Sequence, residues 1–250
     1  MGKYRFLKIS ADTASVWKVI CFAVALTAIG SVSGQELKRL SVSTLSEPPA
    51  QLKKLLTAGK VTFEVGPRAS AGDARIVGET RYEISYRYKS QANWRLSRDD
   101  QGARVLIIDV VFRRVQWNPK HVIWLRNQPD AKDFWSNSVL LHEFDHLRIS
   151  TDPRVAKRFA ELLKARRVIR HQMQAGEIAG RELTDKLVER EARAVFDEVT
   201  DLIAIRYREL DRETEHGQKP LLSNSELYEL LRPAASSGAQ DAGTGASSSG

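Results

Sequence analysis

Three residues in the run Leu140-Leu141-His142-Glu143-Phe144-Asp145-His146 have the types and spacing to do chemistry together. On a helix, positions four apart lie on one face about a turn from each other, so His142 and His146 can aim two imidazoles at one point. Neutral imidazole is a ligand for a divalent metal such as zinc. Glu143, beside them, has the type needed to take a proton from a water held by that metal. The pattern predicts metal-assisted hydrolysis with Glu143 as general base and leaves the substrate open.

The surrounding residues predict the helix. Val139, Leu140, Phe144, Leu147 and Thr151 recur at spacings of three and four, and neither Pro nor Gly interrupts residues 130–152 before Pro153. Two histidines leave a catalytic site one protein ligand short. Candidates for the third are Asp152, Glu191, Glu198 and His216, with His121 and His171 behind them. Asp152 follows His142 by ten residues, but Ile149 stands where a chain reversal would need Gly, and Asp152-Pro153 reads as a helix start. Glu191 and Glu198 fall among many solvated acids of a long helix. His216, just before Gly217 at that helix's end, is the preferred third ligand. Tyr207 is a candidate oxyanion donor, although core packing explains it better, and Asp145 is a candidate to orient an imidazole.

The elements that must position these residues follow from changes of period. Residues 60–126 are strand-rich, with Val61–Val65, Glu79–Tyr88, Trp94–Leu96, Arg104–Phe112 and His121–Leu125 separated by turn-like stretches, and 72–78 reads as a hairpin connection. Residues 104–112 are expected to be an edge strand able to pair with an extended peptide. Residues 47–58 include a short helix. From 130 to 216 the chain reads as helical: the motif helix, a helix from Pro153 to about Ala175, and a third from about Thr184 to Asp211. The expected class is α+β, a short antiparallel twisted sheet followed by the motif helix and two supporting helices, in the manner of a zincin.

The ends set the compartment. Lys3, Arg5 and Lys8 precede an apolar stretch, Val19–Ile29, and small residues follow at Gly30, Ser31, Ser33 and Gly34. Residues 1–34 are expected to be a signal peptide or N-terminal anchor, which places the remainder outside the cytoplasm, secreted or periplasmic. The apolar stretch is short of the roughly twenty residues of a membrane span, so a cleaved chain has no expected transmembrane segment. Residues 35–232 then form a single domain, and 233–250, built of Ala, Gly, Ser and Thr after Pro233, read as a flexible tail. Cys21 is the single cysteine, so cleavage removes disulfides, a catalytic thiol and cysteine ligands from consideration. The net charge is +8, and four basic residues with one acid lie in residues 1–34, leaving about +5 on the rest. The charges interleave, as in Glu189-Arg190-Glu191-Ala192-Arg193, so no specific nucleic-acid partner is expected; a peptide or protein substrate and a cell-envelope partner are.

Beside H-E-x-x-H, the run Asp211-Arg212-Glu213-Thr214-Glu215-His216-Gly217 matches a later motif of the form Tyr/Asp-x-x-T-x-H-G. In this combination the chain resembles the bacterial predicted secreted zinc-dependent proteases known as domain of unknown function 922, over about residues 45–220. It departs from their pattern at Leu147-Arg148-Ile149. The resemblance implies Zn²⁺ as cofactor, peptidase activity and His216 as a ligand beside His142 and His146. The competing reading is a non-catalytic envelope-binding domain that keeps the helix of a protease.

Overall fold

The computed structural model describes residues 18–19, 37–67 and 76–231. A hairpin of two long strands, β4 (Gly78–Arg98) and β5 (Arg104–Leu125), forms the centre of the molecule. The five residues between them turn tightly: Asp99 Oδ1 accepts from the backbone N–H groups of Gln101 and Ala103, and Gly102 takes a positive φ of 82°. The two strands stay antiparallel over their whole length, with one bulge between Arg87 and Lys89. Where the sequence suggested several short strands, continuous pairing carries the ladder through Asn118-Pro119, since Pro119 opposite Ile84 interrupts neither neighbour's register.

Around the hairpin the twisted sheet runs β1 (Lys18–Val19), β4, β5, β3 (Val61–Val65), β2 (Lys38–Leu40), with β6 (Val168–Gln172) on β5. β3 and β5 are parallel; the other pairings are antiparallel. Two expectations change here. Residues 104–112 are not an edge, because Val105–Asp109 is paired to β4 on one side and to β6 on the other. The helix begun at Pro153 ends at Ala165, and 168–172 is a strand. Phe159 and Leu163 carry that helix's buried stripe, the backbone leaves helical geometry at Arg166, and Val168–Gln172 alternates in burial as a strand does.

The helices α1 (Ala50–Gly59), α2 (Ser138–Thr151), α3 (Pro153–Ala165) and α4 (Arg181–Thr214) pack against the sheet, and a short α5 (Glu226–Leu231) contacts α2. The molecule is thus a mixed α and β fold with a twisted, mainly antiparallel sheet and helices beside it. Side chains of one register-matched face, Tyr82, Ile84, Tyr86, Leu106, Ile108 and Val110, form a core with α3 and α4. Tyr86, Trp117, Phe159 and Phe196 cluster there with ring centroids 4.8–5.5 Å apart in successive pairs. A second core joins Phe63, Ile123 and Leu125 to Phe134, Leu140, Phe144 and Leu147, so α2 is anchored at the β3–β5 end of the sheet.

The strand and helix order supports the coarse α+β expectation, with the motif helix at Ser138–Thr151 and α1 where the short helix was predicted. The expected signal peptide, apart from Lys18–Val19, and the expected tail at 233–250 lie outside the described residues, as does most of the 72–78 connection. Among the described residues no helix is long and apolar enough to cross a membrane.

Candidate metal centre

α2 begins where Asn137 caps it, its side chain accepting from the Leu140 N–H at 3.1 Å. Leu140, Phe144 and Leu147 bury completely on one side. His142, Glu143 and His146 occupy the adjoining side, which is also buried because α4 lies against it. α4 is held by a stripe that continues through Val188, Ala192, Val195, Val199, Ile203, Tyr207, Leu210 and Thr214. The neighbouring position, Asp211, therefore faces the two histidines.

The ring nitrogens converge on one carboxylate oxygen. His146 Nε2 lies 3.0 Å and His142 Nε2 3.3 Å from Asp211 Oδ1, and the ligand atoms of all three residues lie within 4.8 Å of one another. A tetrahedral ion with bonds of 2.0–2.1 Å separates its donors by roughly 3.3 Å. His142, His146 and Asp211 therefore fit a divalent metal in donor type and in spacing. The orientation of the His142 ring suits this role. Thr214 Oγ1 gives its proton to Leu210 O at 2.7 Å, so its oxygen can only accept from His142 Nδ1, 3.5 Å away. That leaves Nε2 as the ring nitrogen that faces Asp211 and is placed to meet a metal.

The charges follow from this geometry. Burial alone would raise the Asp211 carboxyl, but hydrogen bonds from His142 and His146, and their charge, outweigh it and hold Asp211 well below the usual carboxylate range. Burial works to lower the His146 pKa, yet the Asp211 hydrogen bond and the neighbouring carboxylates Glu143, Asp211 and Asp145 raise it on balance. Glu143 is 3 % exposed and its Oε2 has no hydrogen-bond partner in the protein. Burial raises its pKa, with His146 and His142 acting in the opposite direction. Gly78 makes room for it: a Cβ there would stand 2.8 Å from Glu143 Oε1 and 2.6 Å from Val139 Cγ1. Thr80 Oγ1 donates to the Glu143 carbonyl at 3.1 Å, tying this turn of α2 to the start of β4.

α4 ends in three successive left-handed residues, Glu215, His216 and Gly217, with φ of 50°, 56° and 80°. The reversal brings Gly217 onto the His142 ring, where an added Cβ would lie 2.7 Å from Cγ, and Gly217 N donates to Thr214 Oγ1 at 3.2 Å. Asp211, Thr214 and Gly217, three fixed letters of the later motif, thus each touch a motif histidine.

Asp211, the first letter of the later motif, is a donor that spacing along the sequence does not single out. His216, expected as third ligand, stands beside the group: its Nδ1 is 3.6 Å from Asp211 Oδ1 and its side chain is 80 % exposed. Asp152 instead caps α3, accepting from Arg154 N at 2.7 Å. Glu198 is exposed and Glu191 faces Arg190. His171 pairs with Glu177 at 3.0 Å. Asp145 forms an ion pair with Arg148 one turn along α2. The Tyr207 hydroxyl is committed to Ser150 at 3.0 Å inside the core, so packing and not oxyanion binding describes it. Comparison of the chain with family models, with curated proteins and with solved structures found no match.

Proposed function

We propose that this protein is a zinc-dependent hydrolase, a peptidase acting outside the cytoplasm, with His142, His146 and Asp211 as the metal-holding residues and Glu143 as general base. The observation that carries the reading is the convergence of two buried imidazoles and a half-buried carboxylate beside a buried Glu143 whose Oε2 has no protein partner. Bound there, zinc would supply an acidified water and polarise a substrate carbonyl. Glu143 accepts the proton of the attacking water and returns it to the leaving amine. Asp211 balances the charge, and Thr214 holds the His142 ring with Nε2 pointing inward.

The peptide class rests on the resemblance of the two motifs to domain of unknown function 922 and on the sheet. β4 begins at Gly78 beside Glu143, and among the described strands its outer edge carries only the two-residue β1, opposite Glu83 and Ile84. An extended peptide pairing along that edge would run past the base. The reading of residues 1–34 as a signal peptide or N-terminal anchor supports an activity outside the cytoplasm, secreted or periplasmic.

The test is zinc analysis and peptide hydrolysis on purified protein, wild type beside Glu143→Gln. One zinc in each, with hydrolysis reduced roughly 10²–10⁴-fold in the variant, is the expected result. Wild-type protein that takes up no zinc after reconstitution would remove the metal reading; zinc uptake without hydrolysis of any peptide would favour the binding-domain reading.

A further inference from the structure

Below the metal centre lies a buried polar chain that the hydrolytic reading does not use. His121 on β5, Ser150 on α2 and Tyr207 on α4 are 1 %, 1 % and 7 % exposed. Their proton arrangement is determined by their partners. The Gly59 carbonyl at the end of α1 can only accept, so His121 Nδ1, 2.8 Å away, carries the hydrogen. Neutral His121 then presents a bare Nε2, which takes the Ser150 proton at 2.7 Å in preference to the α2 carbonyls of Leu147 and His146 at 3.2 and 3.4 Å. Ser150 Oγ, its proton spent, accepts from the Tyr207 hydroxyl at 3.0 Å. One directed chain therefore runs from α4 through α2 and β5 to α1.

Its place relative to the ligands is what gives it a role. Ser150 follows His146 by four residues on α2, and Tyr207 precedes Asp211 by four on α4. Each lies one turn from a metal-holding residue, on the same helix face. The Tyr207 ring also packs on the His146 ring, centroids 4.5 Å apart. Glycine at 59 is needed for α1 to close this end, since a Cβ there would be 2.5 Å from Leu147 Cδ1 and 3.0 Å from His121 Nδ1. We propose that the Tyr207–Ser150–His121 chain is a positioning device that sets the spacing of α2 and α4 and so holds Asp211 against His142 and His146 before the metal arrives. The proposal rests on the metal reading above. Tyr207, Ser150 and His121 act through the ligands and are not catalytic residues.

The experiment is the zinc Kd of full-length protein, by competition with a chromophoric chelator, together with the Tm of the metal-free form. The variants are Tyr207→Phe, Ser150→Ala, the double variant, and Ile169→Val, a core change on β6 outside the chain. Tyr207→Phe and Ser150→Ala are each expected to weaken zinc about tenfold, as loss of outer support around a metal site does. The double variant should bind no more weakly than the weaker single, because both remove the same bond. Ile169→Val should lower Tm and leave the zinc Kd unchanged. Wild-type affinity in both Tyr207→Phe and Ser150→Ala, or an equal loss in Ile169→Val, would overturn the inference while leaving the metal reading intact. Wild-type protein that binds no zinc would remove both.

Discussion

At the scale of single residues, the site turns on which side chain completes the pair of histidines. Half-buried Asp211 lies against both Nε2 atoms, whereas His216 stands at the rim. Asp211→Ala is expected to abolish tight zinc binding, and His216→Ala to retain most of it. Zinc titration of the two variants side by side checks this, and the reverse order would assign the third place to His216. His121 supplies a second expectation. Burial lowers its pKa to about 4, against 6.5 in the unfolded chain, with the Gly59 hydrogen bond only partly opposing. Above pH 6.5 it is neutral in both states and contributes no pH dependence. As pH falls below that, the unfolded chain alone takes up a proton, so stability drops by ~3 kcal/mol by about pH 4 and then levels. Urea unfolding across this range should show a smaller decline in His121→Gln than in the wild type.

At the scale of elements, the centre depends on how two helix ends are made. Asn137→Ala removes the cap of α2 and should cost about 1 kcal/mol in urea unfolding without altering zinc stoichiometry. The other end is less forgiving. Gly217 combines a φ of 80° with contact to the His142 ring, so Gly217→Ala meets both backbone strain and a clash. A loss of ~1–3 kcal/mol is expected, with weakened zinc binding, because the relief available is to push His142 out of line. Unaltered zinc affinity in Gly217→Ala would show that the ring does not depend on this approach.

Across the whole molecule, the candidate ligands come from α2 and α4, which are far apart in sequence and meet only when both pack on the sheet. Zinc bound to the folded state alone should therefore stabilise the entire fold. At a free zinc concentration a hundred times Kd the gain is about 2.7 kcal/mol, or roughly 5–10 °C in Tm for a domain of this size. Thermal unfolding with and without a chelator measures it, and Asp211→Ala should show no zinc-dependent shift.

Much of this was legible in the chain. The H-E-x-x-H spacing, its apolar stripe and the Asp152-Pro153 start are local properties, so the order of α1, α2 and α3 and the pairing of His142 with His146 follow from period and capping alone. The later motif was visible too, but the role of each letter was not. Asp211 and His216 are both ordinary ligands; which one enters the group depends on the phase of α4 against α2, and that phase is set by Tyr207, Leu210 and Thr214 packing in the core. Strand partners were equally hidden. Val168–Gln172 has strand alternation over only five residues, and residues 104–112 of β5 lose a free edge because that segment folds back onto them from beyond α3. Spacing along one helix is fixed by the backbone's own geometry, so the sequence by itself determined the two imidazoles and the carboxylate of Glu143 beside them. The carboxylate that completes them lies 65 residues further on from His146, and only the burial of a shared core could decide which of its neighbours faces inward.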